Sequence, residues 1–121
     1  MMREPDRVER KEQSRSISAI YEIGPVSETK TKLVTLTTIH SPHSKAFFST
    51  IRVEEEEDWQ YGKVRSFMLM EGIRVLAERV NRYSKKRLEE FHERALAEAQ
   101  ETGVLAQVIE RAKMETGEVA A

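Results

Sequence analysis

Gly62-Lys63-Val64-Arg65-Ser66-Phe67-Met68-Leu69-Met70-Glu71-Gly72-Ile73-Arg74 is the stretch whose reading sets the fold class. At period two, Val64, Ser66, Met68 and Met70 fall on one side and Lys63, Arg65, Phe67 and Leu69 on the other. That alternation makes Lys63 to Met70 a strand ending near Gly72. From Ile73 the spacing changes. Ile73, Leu76, Ala77, Val80, Tyr83, Leu88, Phe91, Ala95 and Ala99 recur at roughly three- and four-residue intervals, the pattern of a helix face. The boundary between a sheet and a helical C-terminal half is therefore expected here.

Toward the N-terminus, Ile17, Ala19, Tyr21 and Ile23 alternate along a strand over 16–23, closed by the turn dipeptide Gly24-Pro25. Lys32 to His40 is rich in Val, Leu, Ile and Thr and forms the next strand. Ser41-Pro42-His43-Ser44 turns the chain into a third, Lys45 to Glu54. The acidic run Glu54 to Asp58, with Trp59, Tyr61 and Gly62, is expected to form the loop before the fourth. Short connections force antiparallel pairing, since parallel strands need long crossovers. The expected fold is α+β, a four-stranded antiparallel β-meander followed by a long C-terminal helix and a short final one, Val104 to about Thr116. Gly103 serves as the helix stop between them. Residues 1–15 are charged throughout and read as a flexible arm, leaving 16–121 as a single domain.

A helix from Ile73 to the residues before Gly103 has some 29 residues and spans about 43 Å at 1.5 Å per residue. A compact domain of this size is only about 26 Å across by its radius of gyration. Such a helix projects beyond its own sheet and exposes an apolar stripe, for which the simplest cover is a second copy of the chain. A dimer or tetramer assembled through about residues 73–117 is the expectation.

Composition narrows the classes. There is no cysteine, so neither a disulfide framework nor a thiolate metal site is expected. No apolar run approaches the ~20 residues of a membrane span, and the charged first fifteen residues lack the core of a signal peptide. A cytoplasmic protein without membrane partners is expected. Charged residues make up 34% of the chain, with Glu far above Asp and abundant Arg, a balance suited to the ion-pair networks of thermophilic proteins. The net charge of −1 conceals blocks of opposite sign. Residues 1–53 carry +3, Glu54 to Asp58 −5, residues 63–87 +6 and residues 88–121 −5. Segregation of this kind creates a local field that the whole-chain pI hides.

The basic block falls on the last strand. Alternation puts Phe48, Thr50 and Arg52 on the face that also carries Lys63, Arg65, Phe67 and Leu69. The opposite face, with Phe47, Ser49, Ile51 and Val53, is assigned to packing under the helix. Rings interleaved with cations are what single-stranded nucleic acid requires: cations for phosphates and flat surfaces for unstacked bases. Phe48, Phe67, Trp59 and Tyr61 are the candidate stacking residues, and Arg52, Lys63, Arg65 and Arg74 the candidate phosphate ligands. Arg82, Lys85 and Lys86 are expected to line a cleft beside them. The bland alternatives are a doubly covered sheet for the two Phe, solvated strand positions for the cations, and a lid over the core for Trp59.

Other chemistry finds little footing. His40 and His43 flank a Pro and lack a third ligand nearby, so no metal site is assigned, and His92 is expected at the surface. No phosphate-binding Gly loop, nucleophile elbow or HExxH is present, so no enzyme, cofactor or small-molecule substrate is expected. Two alternatives remain: an adaptor using its long helix to bind a partner, and a duplex-DNA regulator. The latter rests on 62–74, which resembles the second helix of ribbon-helix-helix repressors, although too few residues precede it to supply the first helix.

The strands 16–23, 32–40, 45–54 and 63–70, the helix from Ile73, the missing cysteine and the Arg/Glu-rich composition together resemble the ThermoDBP and ThermoDBP-related family of archaeal single-stranded DNA-binding proteins. The likeness is one of architecture over about residues 15–116, with no diagnostic motif and no residue carried over by position. It implies single-stranded DNA binding, with RNA as a variant, in a cleft partly shaped by oligomerisation and without catalysis.

Overall fold

The computed structural model describes residues 3–67 and 72–120, apart from the side chains of Phe67 and of residues 115–120. Six strands, β1 (Arg7–Lys11), β2 (Ser16–Pro25), β3 (Lys30–Ser41), β4 (Ala46–Trp59), β5 (Gly62–Phe67) and β6 (Ile73–Arg79), precede two helices, α1 (Lys85–Glu101) and α2 (Val104–Ala120). All six strands join one antiparallel sheet that curls into a half-barrel, in the order β1-β2-β3-β4-β5 with β6 also on β4.

The α+β plan and the meander at 16–67 agree with the expectation, but the sheet has more than four strands. Three differences have physical causes. The expected N-terminal arm contains β1, whose alternation is of charges (Arg7, Glu9, Lys11) rather than of apolar residues and so lacks the usual strand signal. The expected acidic loop is the second half of β4: Glu54, Glu56 and Asp58 pair in register with Phe67, Arg65 and Lys63, so opposite charges hold acidic residues in a strand. Ile73 to Arg79 is β6 and not helix, because it covers the edge of β4 that β5 leaves open. With 62–67 and 73–79 both extended, the ribbon-helix-helix reading fails. The expected strand positions Met68, Leu69 and Met70 lie outside the described residues.

The helical part is two 17-residue pieces, each about 26 Å long and matched to the domain. Ser84 caps α1, its side chain accepting from the Arg87 N–H at 3.1 Å. Gly103 at φ 80° makes the turn into α2. The stripe Leu88, Phe91, Ala95 and Ala99 is buried against the chain's own sheet. The argument for self-association through a projecting helix therefore falls away. No described helix is long and apolar enough to cross a membrane.

Both helices cover the odd-numbered face of β4. Phe47, Ile51 and Val53 pack there with Ala19, Tyr21, Val34 and Leu36 beneath α1 and α2, as alternation predicts. Ala95 and Ala99 let α1 approach closely enough to enclose Tyr21, and burial pushes that phenol up to about 12. One polar chain crosses this interface. Thr38 Oγ1 lies 2.6 Å from Ser49 Oγ and 2.8 Å from His92 Nδ1, all three inaccessible. His92 is thus a buried partner of the sheet, contrary to its expected surface position.

Gly72 touches the other face. A Cβ there would stand 2.4 Å from Thr50 Cγ2 and 3.0 Å from Arg52 Cγ, and Thr50 is branched at Cβ and cannot swing clear. Gly72→Ala is expected to cost about 1–3 kcal/mol by overpacking, read as a lower urea midpoint at unchanged slope.

Burial lowers the His92 imidazole to about 4. As pH falls from about 6.5, the unfolded chain takes up this proton before the folded one. Stability is therefore full above pH 6.5 and declines toward pH 4, by at most about 3 kcal/mol for this group. His92→Gln should flatten that part of a pH series of urea unfolding; an unchanged slope would contradict it.

Candidate functional site

The face of the sheet away from the helices is concave. Its floor is Ile20, Leu33 and Thr35, all inaccessible to solvent. Along the walls, register brings Ser18, Thr37 and Thr50 side by side, with Ser16 and Ile39 next to Phe48. The resulting groove has a volume of about 850 Å³. Five basic side chains face it (Arg7, Lys11, Arg52, Lys63 and Arg65) against three acidic ones (Glu9, Glu54 and Glu56), an excess of two positive charges; Arg10 borders it but alternates to the helix side, where it pairs with Glu89.

The edges of the half-barrel meet across this groove through side chains. Arg65 on β5 donates to Glu9 on β1 at 2.6 Å. Arg7 on β1 donates to both oxygens of Glu56 on β4, at 3.0 and 3.1 Å. Lys63 Nζ comes within 3.5 Å of the same Glu56, and Arg65 within 3.6 Å of Glu54 and of Glu56. β1 and β5 are not backbone-paired neighbours, so these ion pairs are what brings the two sides of the seam together.

The two buried carboxylates respond differently. Burial pushes Glu54 up, and Arg65 and Arg52 only partly oppose it. Burial also pushes Glu56 up, but the hydrogen bond and charge of Arg7, with Lys63, more than offset it and leave Glu56 lowered. Arg65 is depressed by burial and raised more strongly by Glu9, Glu54 and Glu56. Glu56 is thus the fixed negative centre of the groove, while Glu54 is the carboxylate that protonates first as the pH drops.

Several of the expected site residues come together. Arg52, Lys63 and Arg65 line one groove. Arg74 and Phe48 share the same face further along β4, the guanidinium 4.4 Å from the ring centroid. Phe67 is paired through its backbone with Glu54 on this face, but its side chain is outside the described set. Trp59 is a correction: unbroken alternation along β4 puts it with Phe47, Ile51 and Val53, on the side away from Lys63. Trp59 and Tyr61 stand at the β4–β5 hairpin, 61% and 93% exposed, and not over the groove. His40 meets Phe47 edge-on and lies tilted against Tyr83. No group of three or more His, Asp or Glu among the described residues is arranged to hold a metal ion.

Arg7, Glu9 and Lys11 contribute a whole wall that the sequence analysis missed. The available signal was the alternation of charge against the small polar Ser16 and Ser18, which only their pairing explains.

Glu56→Gln removes the negative centre and leaves Arg7, Lys63 and Arg65 facing one another. It is expected to cost about 1–3 kcal/mol in stability while raising the groove's positive excess by one. A more stable variant in a thermal or urea titration would contradict this account of the seam.

Comparison with protein-family models, curated proteins and solved structures returned no match to this chain.

Proposed function

We propose that the protein is a sequence-tolerant binder of single-stranded nucleic acid, DNA or RNA, that works by binding alone. The strand lies along the groove of the half-barrel. The observation that carries this reading is the excess of two positive charges in a groove that has the Phe48–Arg74 platform beside Ser16 and Ile39. Arg52, Lys63 and Arg74 are each exposed and take phosphates. Phe48 takes an unstacked base, and Ser16, Ser18, Thr37 and Thr50 offer hydroxyls to sugar or base edges without fixing a sequence.

A duplex fits this chemistry poorly. Its bases are already stacked, and it presents phosphates and groove edges rather than ring faces. The ribbon-helix-helix alternative has lost its helix, and the adaptor alternative its long projecting helix.

The acidic groups inside the groove shape the affinity. A phosphate approaching Arg7 or Arg65 competes with Glu9 and Glu56, so binding is moderate and the released carboxylates oppose it. The binding is also strongly salt-dependent, each phosphate contact to a single strand contributing about −0.7 to the slope of log K against log salt.

A fluorescently labelled oligo-dT is expected to bind at 50 mM salt and to lose affinity with a slope of about −2 to −4 as salt rises, for three to five contacts. Phe48→Ala is expected to weaken binding by roughly 1–3 kcal/mol in anisotropy titrations, with unfolding still cooperative. Absence of binding at 50 mM salt would sink the proposal, and a duplex competitor as effective as the single strand would redirect it.

A further inference from the structure

The groove does not end at its own rim. Lys11, Ser14 and Ser16 line it and also begin the end of the molecule where three connections converge. β1 gives way to β2 there, β3 to β4, and β6 to α1. The pieces are tied together. The His40 N–H donates to the Arg15 carbonyl at 3.0 Å, and the Val80 N–H to the Lys45 carbonyl at 2.9 Å. The Arg15 guanidinium lies 4.2 Å from the Tyr83 ring centroid.

This convergence gathers Lys11, Arg15, Lys45, Arg82, Lys85 and Lys86 on one exposed surface. Nearby acids have partners of their own: Glu12 binds Lys85, Glu89 binds Arg10 and Glu78 binds Arg94. The opposite end carries Glu28 between β2 and β3, Asp58 near the end of β4 and Glu101 at the end of α1. The two ends have opposite sign, so the field runs along the strands.

A second observation concerns the backbone. Among the described residues, the non-glycine residues with positive φ are Arg15 at 48° and Lys45 at 51°. Both sit in turns at this end, in a conformation where Gly or Asn is the less strained choice. A cation occupies each position although the conformation disfavours it. Three more cations, Lys85, Lys86 and Arg87, fill the first turn of α1, where the helix dipole disfavours positive charge. Tyr83 accounts for Arg15 and Glu12 for Lys85; for Lys45, Lys86 and Arg87 local conformational preference gives no reason, and a ligand with several negative charges does.

We infer that this basic end is the entry site for the phosphate backbone. It holds the first phosphates of the strand outside the groove and feeds the following nucleotides past Lys11 and Ser16 into it. The inference rests on the proposed single-strand binding and extends it: the strand would follow one continuous track from the convergent turns, past the Phe48–Arg74 platform beside Ser16, to Arg52, Lys63 and Arg65.

Two variants separate the parts of the track. Lys45→Gln/Arg82→Gln/Lys86→Gln neutralises the basic end and leaves Arg15 on Tyr83 and Lys85 on Glu12 undisturbed. Arg52→Gln/Lys63→Gln neutralises the groove. Both are compared with the wild type in salt titrations of a labelled 20-nucleotide oligo-dT, with thermal unfolding as the check on folding. If the end is the entry site, the triple variant loses at least tenfold in affinity at 50 mM salt, and its salt slope becomes shallower by about 2. Lys86→Gln alone gives about a third of that change in slope, and Lys45→Arg/Arg82→Lys/Lys86→Arg retains wild-type binding. A triple variant that binds like the wild type, while the groove variant is impaired, overturns the entry site and leaves the single-strand reading standing. A wild type that does not bind overturns both.

Discussion

β4 has fourteen residues, and no single strand covers its outer edge. β5 pairs with Glu54–Trp59 and β6 with Ala46–Ile51. This division dictates much of the rest. The sheet must serve two helices on one face, so Phe47, Ile51 and Val53 are given to the core. The other face curls until β5 comes opposite β1, and among the described residues no strand remains to close the gap. Arg7, Glu9, Glu56 and Arg65 bridge it instead. A wall joined by side chains leaves a lined groove, whereas backbone pairing would have made a filled barrel.

Charges in the groove therefore have two duties. Glu56 is almost inaccessible and needs its cations, since a buried carboxylate without partners is costly. Those cations are the same groups that an anionic ligand would seek. The structure resolves the conflict by number: five basic side chains face three acidic ones, so the seam is satisfied with charge left over. The pairs themselves are partly solvated, Arg7 and Arg65 being 31% and 25% exposed at their side chains, and each adds only modestly to stability. Stability comes instead from the helix side, where Phe91, Leu88, Ala95, Ile109 and the sheet residues beneath them are fully enclosed. Separating the two faces lets the groove be tuned without disturbing the core.

Wherever apolar residues alternated, the sequence could be read correctly. The Ile17-to-Ile23 alternation and the odd-numbered face of β4 appear as expected, and Arg52, Lys63 and Arg65 do share a surface. Reading failed where charge stood in for hydrophobicity. β1 has Val8 as its lone apolar residue and looked like an arm, and Glu54 to Asp58 looked like a loop because their partners Lys63 and Arg65 were not yet paired with them. Ile73, Leu76 and Ala77 fit a helical period as well as they fit a strand with a register shift, which is what β6 has between Ser49 and Thr50 of its partner. His92 and Trp59 went astray for complementary reasons. A polar ring on a charged helix looked exposed, yet it meets Thr38, while an aromatic beside a basic strand looked close, yet the pleat turns it away.

β1 is joined to the sheet along one edge, through five register pairs with β2, and to the far side only by ion pairs. The strands from β2 to β5 form sequential hairpins, whose contacts are local and form early in folding. The contact of Glu9 with Arg65 spans 56 residues and closes a much larger loop, with a correspondingly larger entropic cost. The first strand in the chain is thus among the last to be fastened. In the folded state its detachment breaks few apolar contacts, since Val8, its single apolar residue, is 43% exposed. Local unfolding of this kind needs much less free energy than global unfolding. The N-terminal strand is therefore a stave that loosens while the rest of the cask holds its shape, and brief departures of it widen the groove from the side.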